Sequence, residues 1–185
     1  MRVVTVVLVL LAGGSAALEA QHQFQFEFGG FGSFTRFDRA FQLDNQIGGG
    51  GRIGFWITNW LGIEAEGLYQ RPHPKGGGAG TDFPVWFGSG NLVLNFGSEK
   101  SFYLLGGYSR LHMGPNPPYS SDLNAVHGGL GERIVFGGDR MALRVEARAY
   151  YRGPGGGLAS HQWIGHFTGT MGLSFLLGGR EKKSL

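Results

Sequence analysis

Apolar side chains fall on every second position through most of the chain. From Met141 to Tyr151 one parity gives Met141, Leu143, Val145, Ala147, Ala149 and Tyr151, and the other gives Ala142, Arg144, Glu146, Arg148 and Tyr150. A period of two is the geometry of a β-strand, whose successive side chains point to opposite faces. Eight such segments are predicted, at about 23–37, 47–57, 61–70, 83–96, 102–111, 124–136, 141–151 and 163–177. Nothing in the sequence carries a convincing period of 3.6. The segments run about 9 to 15 residues, long for a soluble domain and right for crossing a bilayer at a tilt.

The two faces differ in the same way each time. The first segment sets Phe24, Phe26, Phe28 and Phe34 against Gln23, Gln25, Glu27, Ser33 and Thr35. The second sets Ile47, Ile53, Phe55 and Ile57 against Arg52 and Trp56; the third sets Leu61, Ile63, Ala65 and Tyr69 against Glu64, Glu66 and Gln70. The last sets Trp163, Phe167, Met171, Leu173, Phe175 and Leu177 against His166, Thr168, Thr170 and Ser174. Connections alternate as well. "TNW", "GSEKS" and "GGDR" are short, whereas "DRAFQLDNQ", "RPHPKGGGAGTD", "HMGPNPPYSSDL" and "RGPGGGLASHQ" are long. Short turns at one end and long loops at the other are the asymmetry of an outer-membrane barrel. Six of the seven prolines fall in the long loops and Pro84 opens a strand, as paired strands require.

Which face is inside follows from space and charge. A barrel of eight strands has room for side chains but not for two dozen inward aromatics. The polar faces carry Glu27, Glu64, Glu66 and Glu146 against Arg52, Arg133, Arg144 and Arg148, a set that sums to zero. A neutral, cross-paired set is tolerable in a confined lumen; unpaired charges are not. The expectation is therefore an apolar face toward lipid, with Phe24, Phe26, Phe28, Ile53, Phe55, Ile63, Val145, Ala147, Phe167, Met171, Leu173 and Phe175 upon it, and an ionic interior. If "TNW" sets Ile57 against Leu61, Arg52 falls opposite Glu66, and Arg144 and Arg148 reach across toward Glu64. Sorted by height, Trp56, Trp60, Phe96, Phe102, Tyr103 and Phe136 form a girdle near the short turns. Tyr69, Trp86, Tyr108, Tyr150, Tyr151 and Trp163 form another near the long loops.

Ahead of the strands, Arg2, the apolar run Val3–Leu11 and the small residues up to Ala20 have the form of a secretory signal peptide. Cleavage after Ala20, or alternatively Ala17, is expected. The predicted organisation is a signal peptide at 1–20, a barrel at 21–178 and a polar tail at 179–185. Composition narrows the chemistry. No cysteine means no disulfide, thiolate site or thiol nucleophile. The net charge of +3 does not imply nucleic acid, because Arg2 leaves with the leader and Arg180, Lys182 and Lys183 crowd the last six residues.

The chain resembles the OmpA-type small outer-membrane β-barrel family over roughly Gln23 to Gly178. The likeness is carried by "GGGGRIGFWITNWLGIEAEG", "GGLGERIVFGGDRMALRVEARAYY" and "GTMGLSFLLGG". It implies an all-β, eight-stranded antiparallel up-and-down transmembrane barrel, inserted into a Gram-negative cell's outer membrane by the outer-membrane assembly machinery. Two departures matter. Phe175 is followed by Leu176, Leu177 and "GGREKKSL" instead of ending the chain, and no peptidoglycan-binding segment follows, so cell-wall tethering is not expected.

Other chemistry finds little footing. "GGGGR" and "GPGGG" lack the lysine and hydroxyl of a phosphate loop. His73, His112 and His161 can share the outer rim, with His127 and His166 in strands, but no metal-ligand spacing occurs; no metal and no cofactor are expected. Ser160 and His161, with Asp82 or Asp122, are the nearest approach to a nucleophile and base. Neighbours in an extended chain point apart, so no catalytic residue is assigned and a lipid-A-modifying enzyme is disfavoured. A small channel is opposed by the charges in the bore, and a soluble lipocalin-like binder by the polarity of the inner face. The expected function is that of a non-enzymatic integral membrane barrel with a plugged lumen, whose partners are membrane lipid and whatever meets its four long loops.

Overall fold

Strict alternation leaves a strand with one face for each of two environments, and the chain answers by closing on itself. The computed structural model describes residues 24–75, 82, 84–97, 100–114, 122–152 and 164–178. The leader at 1–20, the tail at 179–185, and Ser160, His161 and Trp163 lie outside the described residues.

Eight strands follow in chain order: β1 Gln25–Arg36, β2 Gln46–Trp56, β3 Leu61–Gln70, β4 Val85–Phe96, β5 Lys100–Met113, β6 Asp122–Phe136, β7 Met141–Arg152 and β8 Ile164–Gly178. Each pairs antiparallel with the next and β8 pairs with β1, so the sheet is a closed barrel without an edge. The eight predicted segments correspond one to one; β5 runs two residues further at each end. A 12-residue strand such as β1 is about 40 Å long at about 3.3 Å per residue. At a tilt of about 40° it reaches about 30 Å along the axis, the thickness of a bilayer's hydrocarbon core.

Registers are fixed by the short turns. Ile57 N–H donates to the Leu61 carbonyl at 2.9 Å, which sets Arg52 opposite Glu66. Between β6 and β7 the turn takes left-handed φ at Gly137, Gly138 and Asp139, of 66°, 67° and 61°. Two of these positions are glycine, which adopts that region without strain.

Even-numbered residues of β1 and odd-numbered residues of β2, β3, β7 and β8 turn outward. Phe26 is 53% exposed, Ile53 59% and Phe175 48%. The first long connection departs from the prediction of a bare loop. Asp38 caps a 3₁₀ turn at Arg39–Phe41, accepting from the Ala40 N–H at 2.9 Å, and Gln42 then takes a left-handed φ of 50°. This folds Phe37, Phe41 and Leu43 back into the mouth, where all three are buried. Leu43 bridges Pro74 in the next long connection.

The aromatic girdles need correction. Trp60, Phe96, Phe102 and Phe136 at the turn end, and Trp86, Tyr108 and Tyr151 at the loop end, face outward. Trp56, Tyr103 and Tyr150 occur at the expected heights but point into the barrel, buried to 5%, 0% and 1% exposure. Height along a strand does not decide the side; parity does: Trp56 shares the parity of the inward Arg52, Tyr150 that of Arg148, and Tyr103 that of the buried Ser101 and Ser109.

Candidate functional site: a charge lattice between two apolar layers

Alternation on β1, β2, β3, β6 and β7 projects Glu27, Arg52, Glu64, Glu66, Arg133, Arg144, Glu146 and Arg148 into the bore, and all eight are buried. Arg144 is the hub. Its Nη1 lies 3.3 Å from Glu27 and 2.5 Å from Glu64, its Nη2 lies 3.3 Å from Glu146, and its guanidinium stacks 4.8 Å above the Tyr103 ring. Arg148 grips Glu66 through both nitrogens, at 2.9 and 2.7 Å, pairs with Glu146 through Nε, and stands 3.6 Å from Glu64. Its main partner across the lumen is thus Glu66, not Glu64. The planar guanidinium fork suits a bidentate carboxylate better than a single passing contact.

Arg52 meets Glu146 at 3.3 Å and Glu66 at 3.9 Å, with the Phe31 ring 4.5 Å from its guanidinium carbon. Arg133 meets Glu27 at 3.3 Å, over Trp56 at 5.0 Å. Four cations and four carboxylates therefore interlock, each arginine against at least one carboxylate. Neutral donors add hydrogen bonds to the carboxylates, while Arg52 Nη2 and Arg133 Nε make ion-pair contacts without a hydrogen bond. Tyr103 O–H donates to Glu146 at 2.6 Å, Trp56 Nε1–H to Glu27 at 2.9 Å, Asn91 Nδ2–H to Glu64 at 2.9 Å and Thr170 O–H to Glu146 at 3.3 Å. A buried charge is stable only when its remaining lone pairs and protons are occupied in this way.

Close packing around the lattice is achieved with glycine. A Cβ on Gly131 would stand 2.5 Å from the Tyr103 ring and hydroxyl, and one on Gly129 would stand 2.8 Å from Arg148 Cγ. Inward glycines thus make room for the largest inward side chains.

Apolar residues seal the lattice at both ends. Trp56, Val93, Tyr103 and Leu105 close the turn side. On the loop side lies a larger cluster that includes Phe31, Leu68, Phe87, Leu111, Met113 and Leu123, capped by Phe37, Phe41 and Leu43 of the first connection. Sequence reasoning expected charge throughout the bore and missed these layers, although the inward parity of Phe31, Leu68, Phe87 and Leu111 was available to find them. It also missed Tyr103, Trp56 and Asn91 as partners of the carboxylates, which the same parity assigns to the interior.

The histidines separate. His127 lies within the lumen, with Nδ1 2.8 Å from the Ser109 hydroxyl and Nε2 2.7 Å from Asn91 Oδ1. His166 is buried at the mouth, its Nδ1 accepting from the Asp38 N–H at 3.1 Å. His73 pairs with Asp82 at 2.5 Å, and His112 with Asp122 at 2.8 Å, on the exposed rim. Among the described residues no group of three or more histidine and carboxylate side chains is placed to hold a metal.

No family model matches the chain, and no curated protein matches it in sequence. Solved structures do match in fold. The outer membrane protein OprG of Pseudomonas aeruginosa aligns with a TM-score of 0.57 at 12% identity, covering 85% of this chain and 98% of OprG. The N-terminal β-barrel domain of Pseudomonas aeruginosa OprF gives 0.56 at 15%, over 84% and 99%. Neisserial surface protein A gives 0.54 at 14%, over 86% and 99%. The architecture is that of the small outer-membrane β-barrels.

Proposed function

We propose that the protein is an integral outer-membrane barrel, non-enzymatic, whose lumen is closed by its own charge lattice and whose long loops offer a surface at the cell exterior. The observation that carries this reading is the inversion of the wall. Phe24, Phe26, Phe28, Ile53, Ile63, Val145, Phe167, Met171, Leu173 and Phe175 are exposed around the outside, while Arg144, Glu146 and Arg148 are buried at the centre. A soluble protein with that exterior would present an apolar belt far larger than monomers tolerate. In lipid the same belt is the solvated surface, and the closed sheet pairs every strand with a neighbour on both sides. Phe55 and Ala147 share the outward parity and belong to the belt.

Membrane lipid is then the principal partner, and the outer-membrane assembly machinery inserts the folded wall. Against a permanently open channel stand the paired arginines across the bore and the two apolar layers that close it. The test is cell fractionation followed by electrophoresis with and without boiling. The protein should partition with outer membranes, resist extraction without detergent, and migrate faster unboiled. Recovery in a detergent-free periplasmic extract would overturn the proposal.

A further inference from the structure

We propose that the segment Phe37–Leu43 is a displaceable plug, and that the chamber it fills at the mouth binds a small planar aromatic molecule bearing one hydrogen-bond donor. This goes beyond membrane residence, which stands whether or not it holds. The barrel closes through eight complete strand pairings, none of which involves the segment. The charge lattice beneath is likewise complete without it. What the segment contributes is filling: two aromatic rings and an isobutyl group set into a bore lined by Phe31, Leu68, Phe87, Leu111, Met113 and Leu123.

The plug itself displays the chemistry the chamber accepts. Phe41 and Phe37 lie 4.6 and 5.5 Å from the His166 ring, and Phe37 lies 6.5 Å from Phe87. Between the two phenylalanines, the Asp38 N–H donates to His166 Nδ1. Withdrawing the segment leaves an aromatic slot with one bare acceptor, at a residue 2% exposed with the plug in place. A second acceptor is already bare. Gln70 is buried at the same end, its Nε2 donating to Ser33 and Thr35, and its Oε1 has no hydrogen-bond partner. An apolar chamber with two buried acceptors favours an aromatic N–H or O–H over a hydrocarbon of equal size. The polar latch is light: besides the His166 contact it includes Gly165 N–H to Asp38 at 3.0 Å, and the two bonds that flank the Leu43–Pro74 bridge, Asp44 N–H to the His73 carbonyl at 2.9 Å and Lys75 N–H to the Gln42 carbonyl at 2.5 Å.

Limited trypsin digestion of the detergent-refolded full barrel tests this, with 1-naphthol as probe, naphthalene as its donor-free match, and a small peptide substrate to correct for effects on trypsin. Arg39 sits in the 3₁₀ turn, where the backbone is held against cleavage. Adding 1-naphthol should raise cleavage after Arg39 saturably, by about tenfold, as the open state gains population; naphthalene should act more weakly. His166→Phe should abolish that difference. The flanking bonds mark Leu43 and Pro74 as a non-hydrogen-bonded pair, with Cα atoms about 4.5 Å apart and within disulfide reach. Leu43→Cys/Pro74→Cys, in a chain with no other cysteine, should lose the response when oxidised and regain it with dithiothreitol. No rise at the solubility limit of 1-naphthol, an equal rise in the oxidised variant, or an equal response to naphthalene would each overturn the proposal. The unboiled band of each variant reports separately that the barrel has folded.

Discussion

Arg144→Gln is the sharpest perturbation of the lumen. The guanidinium is 1% exposed and lies within 3.3 Å of Glu27, Glu64 and Glu146. Removing its charge leaves four carboxylates facing Arg52, Arg133 and Arg148, one uncompensated negative charge in a bore sealed at both ends. Breaking a buried pair costs about 3–5 kcal/mol, because the partner stays desolvated and unpaired. At a urea slope of about 2 kcal/mol per molar, the unfolding midpoint should fall by about 2 M. The assay is urea titration of the barrel in lipid vesicles, with the folded fraction read from unboiled gels. Arg144→Gln/Glu64→Gln restores neutrality and should recover at least half of the loss, which is the signature of charge as opposed to packing. Arg110→Gln, on the exposed rim beside Asp122, should leave the midpoint close to wild type, because solvent screens that pair. A midpoint within about 0.3 M of wild type for Arg144→Gln, or a double variant no more stable than the single one, would refute the reasoning.

Other outcomes follow from the same coordinates. Gly131→Ala places a methyl against the Tyr103 ring and should cost about 1–3 kcal/mol by overpacking, whereas Gly67→Ala, with nothing within 4 Å of its added Cβ, should shift the same titration by less than about 0.5 kcal/mol. Ala147→Arg, outward and near the middle of β7, should lower stability in vesicles by about 2–4 kcal/mol; no loss there would argue against a lipid-facing wall. Brominated lipids should quench Trp60 and Trp86, which are 57% and 54% exposed, and spare Trp56 at 5%, as measured on single-tryptophan variants.

Parity made most of the wall legible from sequence. Once Arg144, Glu146 and Arg148 were taken as inward, the side of every residue in β7 followed, and "TNW" carried the register to Arg52 opposite Glu66. Partner choice was less legible. Arg148 has Glu64 and Glu66 both within 4 Å, and which of them it grips with both nitrogens depends on stagger around the barrel, which no single strand encodes. Trp56 and Tyr150, set on the polar faces yet also counted in the girdles, and Tyr103, counted there alone, were misjudged for another reason. Aromatic residues suit both the membrane interface and the space above a guanidinium, so height and residue type cannot separate the two. The plug was least legible of all. Phe37, Phe41 and Leu43 keep the inward parity of β1, but the exposed Arg39 interrupts it, and a 3₁₀ turn that docks through one buried histidine 128 residues from Asp38 leaves no local signal.

The charge lattice and the apolar layers depend on one another. Lipid supplies the drive to bury the outer wall but none to order the bore, since inward side chains gain nothing from the membrane. Order inside must come from directional contacts, and those are strong only where water is kept away. Trp56 and Tyr103 exclude it from below while also donating to Glu27 and Glu146. Phe31 excludes it from above while lying against Arg52. The sealing residues are therefore members of the network they protect. The first connection is the exception: Phe37 covers the chamber against His166 and Phe87, and Phe41 against His166, while the ion pairs of the lattice run between the strands below. A cap that can leave without breaking an ion pair of the lattice is what permits the mouth to open while the barrel below stays shut.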